Sequence, residues 1–513
     1  MCENSKSSLK HKCEDIKNRL FVIQDGASLA VFRIIIGILM MRDVPYLIFS
    51  AQQSMDGFRA RYYGFDWVQP DETLIYLCAA LLPFAAFCVT LGLFYRLAMP
   101  ITTIIVAYIF IITPEYYLNH YYMLLLFCAL LSVMPANKVW ALDARIKSKD
   151  DDNDDSGVPA WNYWLLKGQT EIILIYAGLV KINADWLNLQ PLSAWIRSAT
   201  HDFPTPMRWF FYFDAPIAIG AYGVILLHIV GAPLLLYRRT RIWVFGLYVC
   251  FHLTNSMMFD IGIFPYMTIA TTLLFFNPDW PRRVIQKMQP LTTCLSSLYV
   301  QRPRLRLSRM VIITLMGAWM LVQIINPLPA LLASNLAVAW HGHGDLFTWR
   351  MMLNNKSIYT VVFAAHMPDK QRIEFVPIDD FLSKRECFRV TGRPNTTVQF
   401  ANYLADHYRT VYSTDQVEIH AYIVLSINYR EPELWADPTA DLSSYRSIYG
   451  IQPWLTSVTK PRRTWEDYIH APDYQNPTYG EILNAMKLPQ EETITFDISD
   501  ATLDERPTIP KCE

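Results

Sequence analysis

Nine apolar runs separated by charged loops constrain this chain more than any other feature. They cover residues 28–49, 74–95, 97–113, 117–135, 161–182, 215–237, 242–258, 261–277 and 310–333. Each is near the length that an α-helix needs to cross about 30 Å of hydrocarbon. Hydrophobic residues make up 52% of the 513 and charged residues only 18%. These runs carry much of that excess, so a membrane accounts for it better than a large soluble core. The first run contains Arg33, Arg42 and Asp43, which must face the bundle interior or snorkel. The expected fold is an α-helical polytopic membrane bundle of about nine transmembrane helices, followed by a β-rich extramembrane domain.

Loop charges give the orientation. Lys6, Lys10, Lys12, Lys17 and Arg19 precede the first run, and Arg96 follows the second. Lys138, Arg145, Lys147 and Lys149 follow the fourth, and Arg238, Arg239 and Arg241 the sixth. Arg282, Arg283, Lys287, Arg302, Arg304 and Arg306 follow the eighth. These are alternate loops, so the positive-inside rule makes them cytoplasmic. Everything after residue 334 then faces the lumen or periplasm. The acidic run Asp150–Asp155 reads as a solvated cytoplasmic loop. No apolar stretch lies in the first 20 residues, so the first span itself serves as the membrane signal. The expected divisions are a cytoplasmic segment (1–27), a membrane domain with the active site (28–333), a lumenal or periplasmic β-rich domain (334–450) and a tail (451–513). Within the third, Ser357–Ala364, Gln371–Pro377 and Val417–Asn428 read as strands, and Phe400–Tyr408 as a helix. The net charge of -1 carries no nucleic-acid footprint. The 9 cysteines form no CxxC or zinc pattern. His341-Gly342-His343 has no third ligand set by sequence, so no metal is expected.

The topology gathers polar groups at one depth on the outer side. Asn119-His120 opens the fourth span, Lys181 ends the fifth, and His252 and Asn255 lie near the outer end of the seventh. Each has an ordinary reading: Lys181 as an interfacial anchor, the others as interhelical hydrogen-bonding groups. Together they read as a buried polar site, in which a desolvated Lys181 would serve as a base. Lys167 and Glu171, one turn apart, read as a structural pair.

An ordered set of segments resembles the vitamin K-dependent γ-glutamyl carboxylase family. It runs from Ala27-Ser28-Leu29-Ala30-Val31-Phe32-Arg33 and Leu91-Gly92-Leu93-Phe94-Tyr95-Arg96 through Asn119-His120-Tyr121-Tyr122. It continues through Ala177-Gly178 to Lys181 and Ala184-Asp185-Trp186, then Phe251-His252 with Asn255-Ser256, and Pro278-Asp279-Trp280-Pro281. It ends in Trp349-Arg350-Met351-Met352 and Asp437-Pro438, covering residues 25–445. The resemblance implies Lys181 as the catalytic base, with His120 and Asn119 beside the reacting centre. It implies that His252 and Asn255 face the cofactor, and that Trp349, Met351 and Met352 roof its pocket. It further implies a hydroquinone cofactor, reduced vitamin K, which with oxygen yields the base that removes a glutamate γ-proton. Carbon dioxide then adds and the epoxide leaves. The implied partners are a glutamate-containing peptide or protein and membrane lipid, in the endoplasmic reticulum membrane of a eukaryote or the inner membrane of a bacterium. Val180 stands where animal enzymes carry a second lysine, and Lys356 stands at an arginine position. For the cysteine pair that joins the family's two regions, Cys78 and Cys387 are the nearest outer-side candidates.

Overall fold

The computed structural model describes residues 14–495, except 16, 54, 56, 148–156, 202, 289–307, 343 and 447–451. Lys6, Lys10, Lys12, Lys149, Arg302, Arg304, Arg306, the acidic run 150–155 and His343 therefore lie outside the described residues.

Each apolar run holds a helix: α1 (Ala27–Gln53), α2 (Glu72–Leu91), α3 (Tyr95–Ile112), α4 (Asn119–Val133), α5 (Trp161–Leu179), α6 (Asp214–Leu226), α7 (Arg241–Met258), α8 (Phe264–Leu273) and α9 (Arg309–Ile325). Helix α6 continues through a π-turn, Leu227–Gly231, to Leu234. Among the described residues, five helical stretches are long and apolar enough to cross a membrane: Ala27–Gln53, Glu72–Leu91, Tyr95–Ile112, Asp214–Leu234 and Arg309–Leu332. The expected count of nine is not reached on that measure. Helices α4 and α8 have only 15 and 10 residues, and α5 and α7 carry polar groups such as Gln169, Glu171, His252 and Asn255.

Of the three charges in the first run, Arg33 and Asp43 are buried and Arg42 is exposed. Arg33 is fully buried and donates from Nη1 to Ala136 O (2.9 Å) and from Nη2 to Trp140 O (2.6 Å). Gly92 closes α2 in the left-handed region, and a Cβ there would meet Arg33 Nη1 at 2.5 Å. Only glycine allows both the turn and that approach. The pairing expected of Lys167 and Glu171 is not formed among the described residues. Lys167 Nζ instead stands 5.4 Å from the Trp164 ring centre, and Glu171 Oε1 is buried without a hydrogen bond. The aromatic face satisfies the ammonium locally, so the one-turn spacing goes unused.

A short antiparallel ribbon, β1 (Ile23–Asp25) with β2 (Gly157–Pro159), ties the start of α1 to that of α5. The outer domain is built on five strands: β3 (Lys356–Met367), β4 (Arg372–Phe375), β5 (Glu418–Ile427), β6 (Glu433–Leu434) and β7 (Thr493–Thr495). Their order is β6-β5-β3-β4-β7, antiparallel except for β4 with β7. Both faces of β3 are covered. Val361, Phe363 and Ala365 pack with Phe400, Ala401 and Leu404 of α10 (Pro394–Tyr412). Val362 and Ala364 point the other way, to Ile482, Leu483 and Met486 of α11 (Tyr479–Met486). A strand buried on both faces reads as an apolar run with weak alternation, as this one does. Residues past 450 thus supply a helix, an edge strand and the buried Trp454.

Cys78 is a buried free thiol, whereas Cys387 is disulfide-bonded, so these two are not partners. Cys78 points into the bundle core among α1 and α2 side chains, where no second thiol reaches it.

Candidate active site at the junction of the bundle and the outer domain

Helix α5 ends at Leu179, and Lys181 stands two residues beyond, where the chain leaves the bundle. Its side chain is 6% exposed. Nζ donates to Ala177 O (3.0 Å) and to Met351 O (3.2 Å), and lies 5.1 Å from the centre of the Trp186 ring. Among the described residues no carboxylate pairs with it. Burial first, and the Arg350 guanidinium second, push its pKa down to about 7. The nearest acidic neighbour in sequence, Asp185, is engaged elsewhere. It accepts from both terminal nitrogens of Arg430 (2.7 and 2.9 Å) and from Asn428 Nδ2 (2.8 Å). Burial would raise the Asp185 pKa, but these donors outweigh it and hold the carboxyl below its usual range. The pair clamps the outer domain to the end of α5.

The segment 347–352 joins the expected site residues. Phe347, Trp349 and Met352 all have left-handed backbone (φ +63°, +58° and +52°), a conformation that costs a non-glycine residue and persists only where contacts hold it. Here the contacts come from α4 and from Tyr117 just before it. Tyr117 OH meets Phe347 N (2.8 Å), and Tyr122 stacks on Trp349 with ring centres 5.0 Å apart. Asn119 Nδ2 reaches Arg350 O at 3.5 Å. Consecutive carbonyls, of Arg350 and Met351, therefore meet Asn119 and Lys181. Trp349 is fully buried in the same apolar cluster as Phe32, Leu131 and Met267 of the bundle. It is a plug driven into the membrane half. Met351 and Met352 flank it, half-buried.

His120, half-buried, follows Asn119 and faces the loop between α7 and α8. A Cβ on Gly262, itself at φ +57°, would sit 3.2 Å from His120 Nε2. A second cleft of about 270 Å³ opens there, lined by Arg42, Ser256, Asp260, Gly262 and Tyr266. His252 is fully buried, stacked on Tyr248 and edge-on to Phe264, with both ring nitrogens lacking hydrogen-bond partners. Asn255 lies one turn further along α7, half-buried. The described contacts thus tie Asn119 to the Arg350 carbonyl and Lys181 to the Met351 carbonyl. His120 stands on α4, and His252 and Asn255 on α7.

Beside Lys181 lies a cleft of about 420 Å³. Its lining includes both chain neighbours of the lysine, Val180 and Ile182, together with Arg350, but not Lys181 itself. Ala330, Leu331 and Ala333 make an apolar side, and Asp185, Arg430 and Arg462 a polar one. The volume is in the range of small-molecule sites. Sequence reading missed His228. It is buried on the π-turn, its Cβ packs where a Cβ of Gly178 would fall (2.8 Å), and Nδ1 faces Val224 O at 2.8 Å. A lone histidine in an apolar run gives no warning of this. The π-turn, a common mark of functional sites, is a structural signal only.

Two family models match the chain. One, the HTTM domain, covers residues 21–280. The other, the vitamin K-dependent gamma-carboxylase lumenal domain, covers residues 308–461. No solved structure matches. The break between the two matches, residues 281–307, precedes α9, which falls inside the second match.

Proposed function

As the chain belongs to the vitamin K-dependent γ-glutamyl carboxylase family, we propose that it carboxylates glutamate side chains of a peptide or protein, adding carbon dioxide and oxidising reduced vitamin K to the epoxide with oxygen. The observation that carries this reading is Lys181, a buried amine hydrogen-bonded among the described residues to two carbonyls, whose chain neighbours line a cleft with an apolar side. These residues fit a hydroquinone. The cleft has the size for one, the apolar lip suits a ligand arriving from lipid, and a poised amine suits a phenol-like hydroxyl. When bound, reduced vitamin K supplies, with oxygen, the basicity that a γ-carbon demands and that no side chain has.

Lys181 Nζ takes the hydroquinone proton; its pKa near the working pH is the condition for an efficient base. The two carbonyls fix where that nitrogen points. Trp349, Met351 and Met352 close the outer side and exclude water. His120 donates toward the anion that develops on the glutamate, and Asn119 holds the 350 carbonyl in register. His252 and Asn255 form the α7 wall of the quinone pocket. The protein resides in the endoplasmic reticulum membrane of a eukaryote or the inner membrane of a bacterium, with this site facing the lumen or periplasm.

Membranes holding the protein, given reduced vitamin K, oxygen, labelled bicarbonate and a glutamate peptide, should yield epoxide together with label in peptide. Epoxide without label would leave quinone oxidation alone, and neither product would overturn the reading. Sidedness has its own test. A cysteine placed at the exposed Asp406 of α10 should react with an impermeant maleimide only from the lumenal or periplasmic face of sealed vesicles.

A further inference from the structure

The outer domain holds a second polar cluster, made by the β3–β5 ladder. Antiparallel pairing sets His366 opposite Glu418 and Ala364 opposite His420. Glu418 and His420, two residues apart, share a face of β5. His366 Nδ1 lies 3.0 Å from Glu418 Oε2, and His420 Nε2 lies 3.7 Å from the same oxygen. One ligand atom from each of the three lies within 4.8 Å of the others. The two histidine side chains are 10% and 6% exposed, and His420 Nε2 makes no hydrogen bond.

The far nitrogens are also placed. His420 Nδ1 faces Pro438 O at 3.2 Å, and His366 Nε2 faces Glu492 Oε2 at 3.2 Å. Pro438 O behind His420 takes that imidazole's one proton and leaves its lone pair in front, as outer partners of metal-binding histidines do; His366 Nε2 and Glu492 Oε2 stand close but make no hydrogen bond among the described residues. Both fronts converge on Glu418. A plain ion network of His366 with the two glutamates would leave His420 Nε2 buried and unsatisfied, which is costly.

We propose that His366, Glu418 and His420 bind a divalent ion of the zinc type, with water in the fourth position. Two imidazoles and a carboxylate make a donor set suited to zinc, and tetrahedral coordination needs four positions. Calcium takes six or more oxygens, which this cluster lacks. Glu418 is half-exposed, so the ion's open side meets solvent. The site pins the end of β3 to the start of β5. Through Pro438 and Glu492 it reaches the segment after β6 and the residue before β7. Its role is to staple the sheet, on residues far in sequence from Lys181.

Full-length, tag-free protein in detergent, stripped with EDTA and desalted, is titrated with zinc chloride. The expected result is one retained equivalent by elemental mass spectrometry and a higher melting temperature for the outer domain. His366→Asn and His420→Asn should each lower retention at least tenfold. His470→Asn, at an exposed histidine, should leave it unchanged. Where a histidine variant fails to fold, Glu418→Gln, at the half-exposed ligand, gives the same reading. Wild-type protein that retains no zinc, or a folded His366→Asn/His420→Asn double variant that retains the full equivalent, overturns the proposal.

Discussion

Each half of the molecule holds one lysine in nearly the same setting. Lys181, at the foot of the bundle, donates to two carbonyls and lies 5.1 Å from a tryptophan ring. Lys356, at the first strand of the outer domain, donates to Trp340 O (2.9 Å) and Gly392 O (2.8 Å) and lies 5.7 Å from the Trp435 ring. Burial pushes both pKa values down to about 7. What separates them is access. Both chain neighbours of Lys181, Val180 and Ile182, line the large cleft, though Lys181 itself does not, whereas neither Lys356 nor its neighbours line it. A lowered pKa marks a buried amine; a place for substrate beside it marks a base.

The largest expected effect tests that distinction. Lys181→Arg keeps the charge but cannot release its proton. Epoxide formation and carboxylation should fall together by about 10²–10⁴-fold, the range for loss of a general base. Lys356→Arg should keep epoxide formation within about tenfold and act on folding instead. The reverse result would move the base to the outer domain. In the wild type, Nζ is neutral above its pKa, so the rate should climb as pH rises through about 7. Lys181→Ala should lose that limb and recover at higher pH, where the hydroquinone ionises unaided.

The clamp between the halves gives the next effect. Arg430→Ala strands the Asp185 carboxylate in a buried setting and should destabilise the attachment by about 3–5 kcal/mol. The Asp185 pKa is depressed, so the clamp is fully present above an unfolded value of about 3.9 and lost as pH falls through the lower folded value. Limited proteolysis from about pH 5 down to about pH 2 reads this. Acid detachment at the same pH in wild type and Arg430→Ala would show that the pair does not hold the halves together.

His120→Ala should lower carboxylation more than epoxide formation, by about 10²–10³-fold for a lost donor to the anion. Equal losses would seat His120 with the quinone and Lys181. The smallest effect belongs to Gly262→Ala. A left-handed alanine costs about 1 kcal/mol, and its Cβ presses on His120, so carboxylation should fall a few-fold with epoxide formation unchanged. An unchanged product ratio would detach the α7–α8 loop from His120.

The bundle and three strands were legible because periodicity and apolar length are local signals. The lysine stood out because a charge closing an apolar run has few explanations. The rest depends on residues far apart in the chain. Asp185 meets Arg430 across 245 positions, and β1 pairs β2 across the whole first half of the bundle. His366 and Glu418 are 52 apart, so no metal spacing could be read. β7 has three residues and is placed only by its parallel partner β4. The expected Lys167–Glu171 pair failed for a local reason, an aromatic ring closer to hand.

Trp349 has a consequence for biosynthesis. The membrane half shares its apolar cluster with a residue that is translated after all nine helices. Until the ribosome has passed residue 349, Tyr122 lacks its stacking partner and the core carries a tryptophan-sized gap, a defect of about 3–5 kcal/mol. Insertion of the helices and completion of their packing are therefore separate events in time. Nascent chains stalled with residue 333 exposed should be inserted yet protease-sensitive around α4, and chains stalled past residue 360 should be protected. Equal protection at both lengths would mean that the membrane half finishes its core alone.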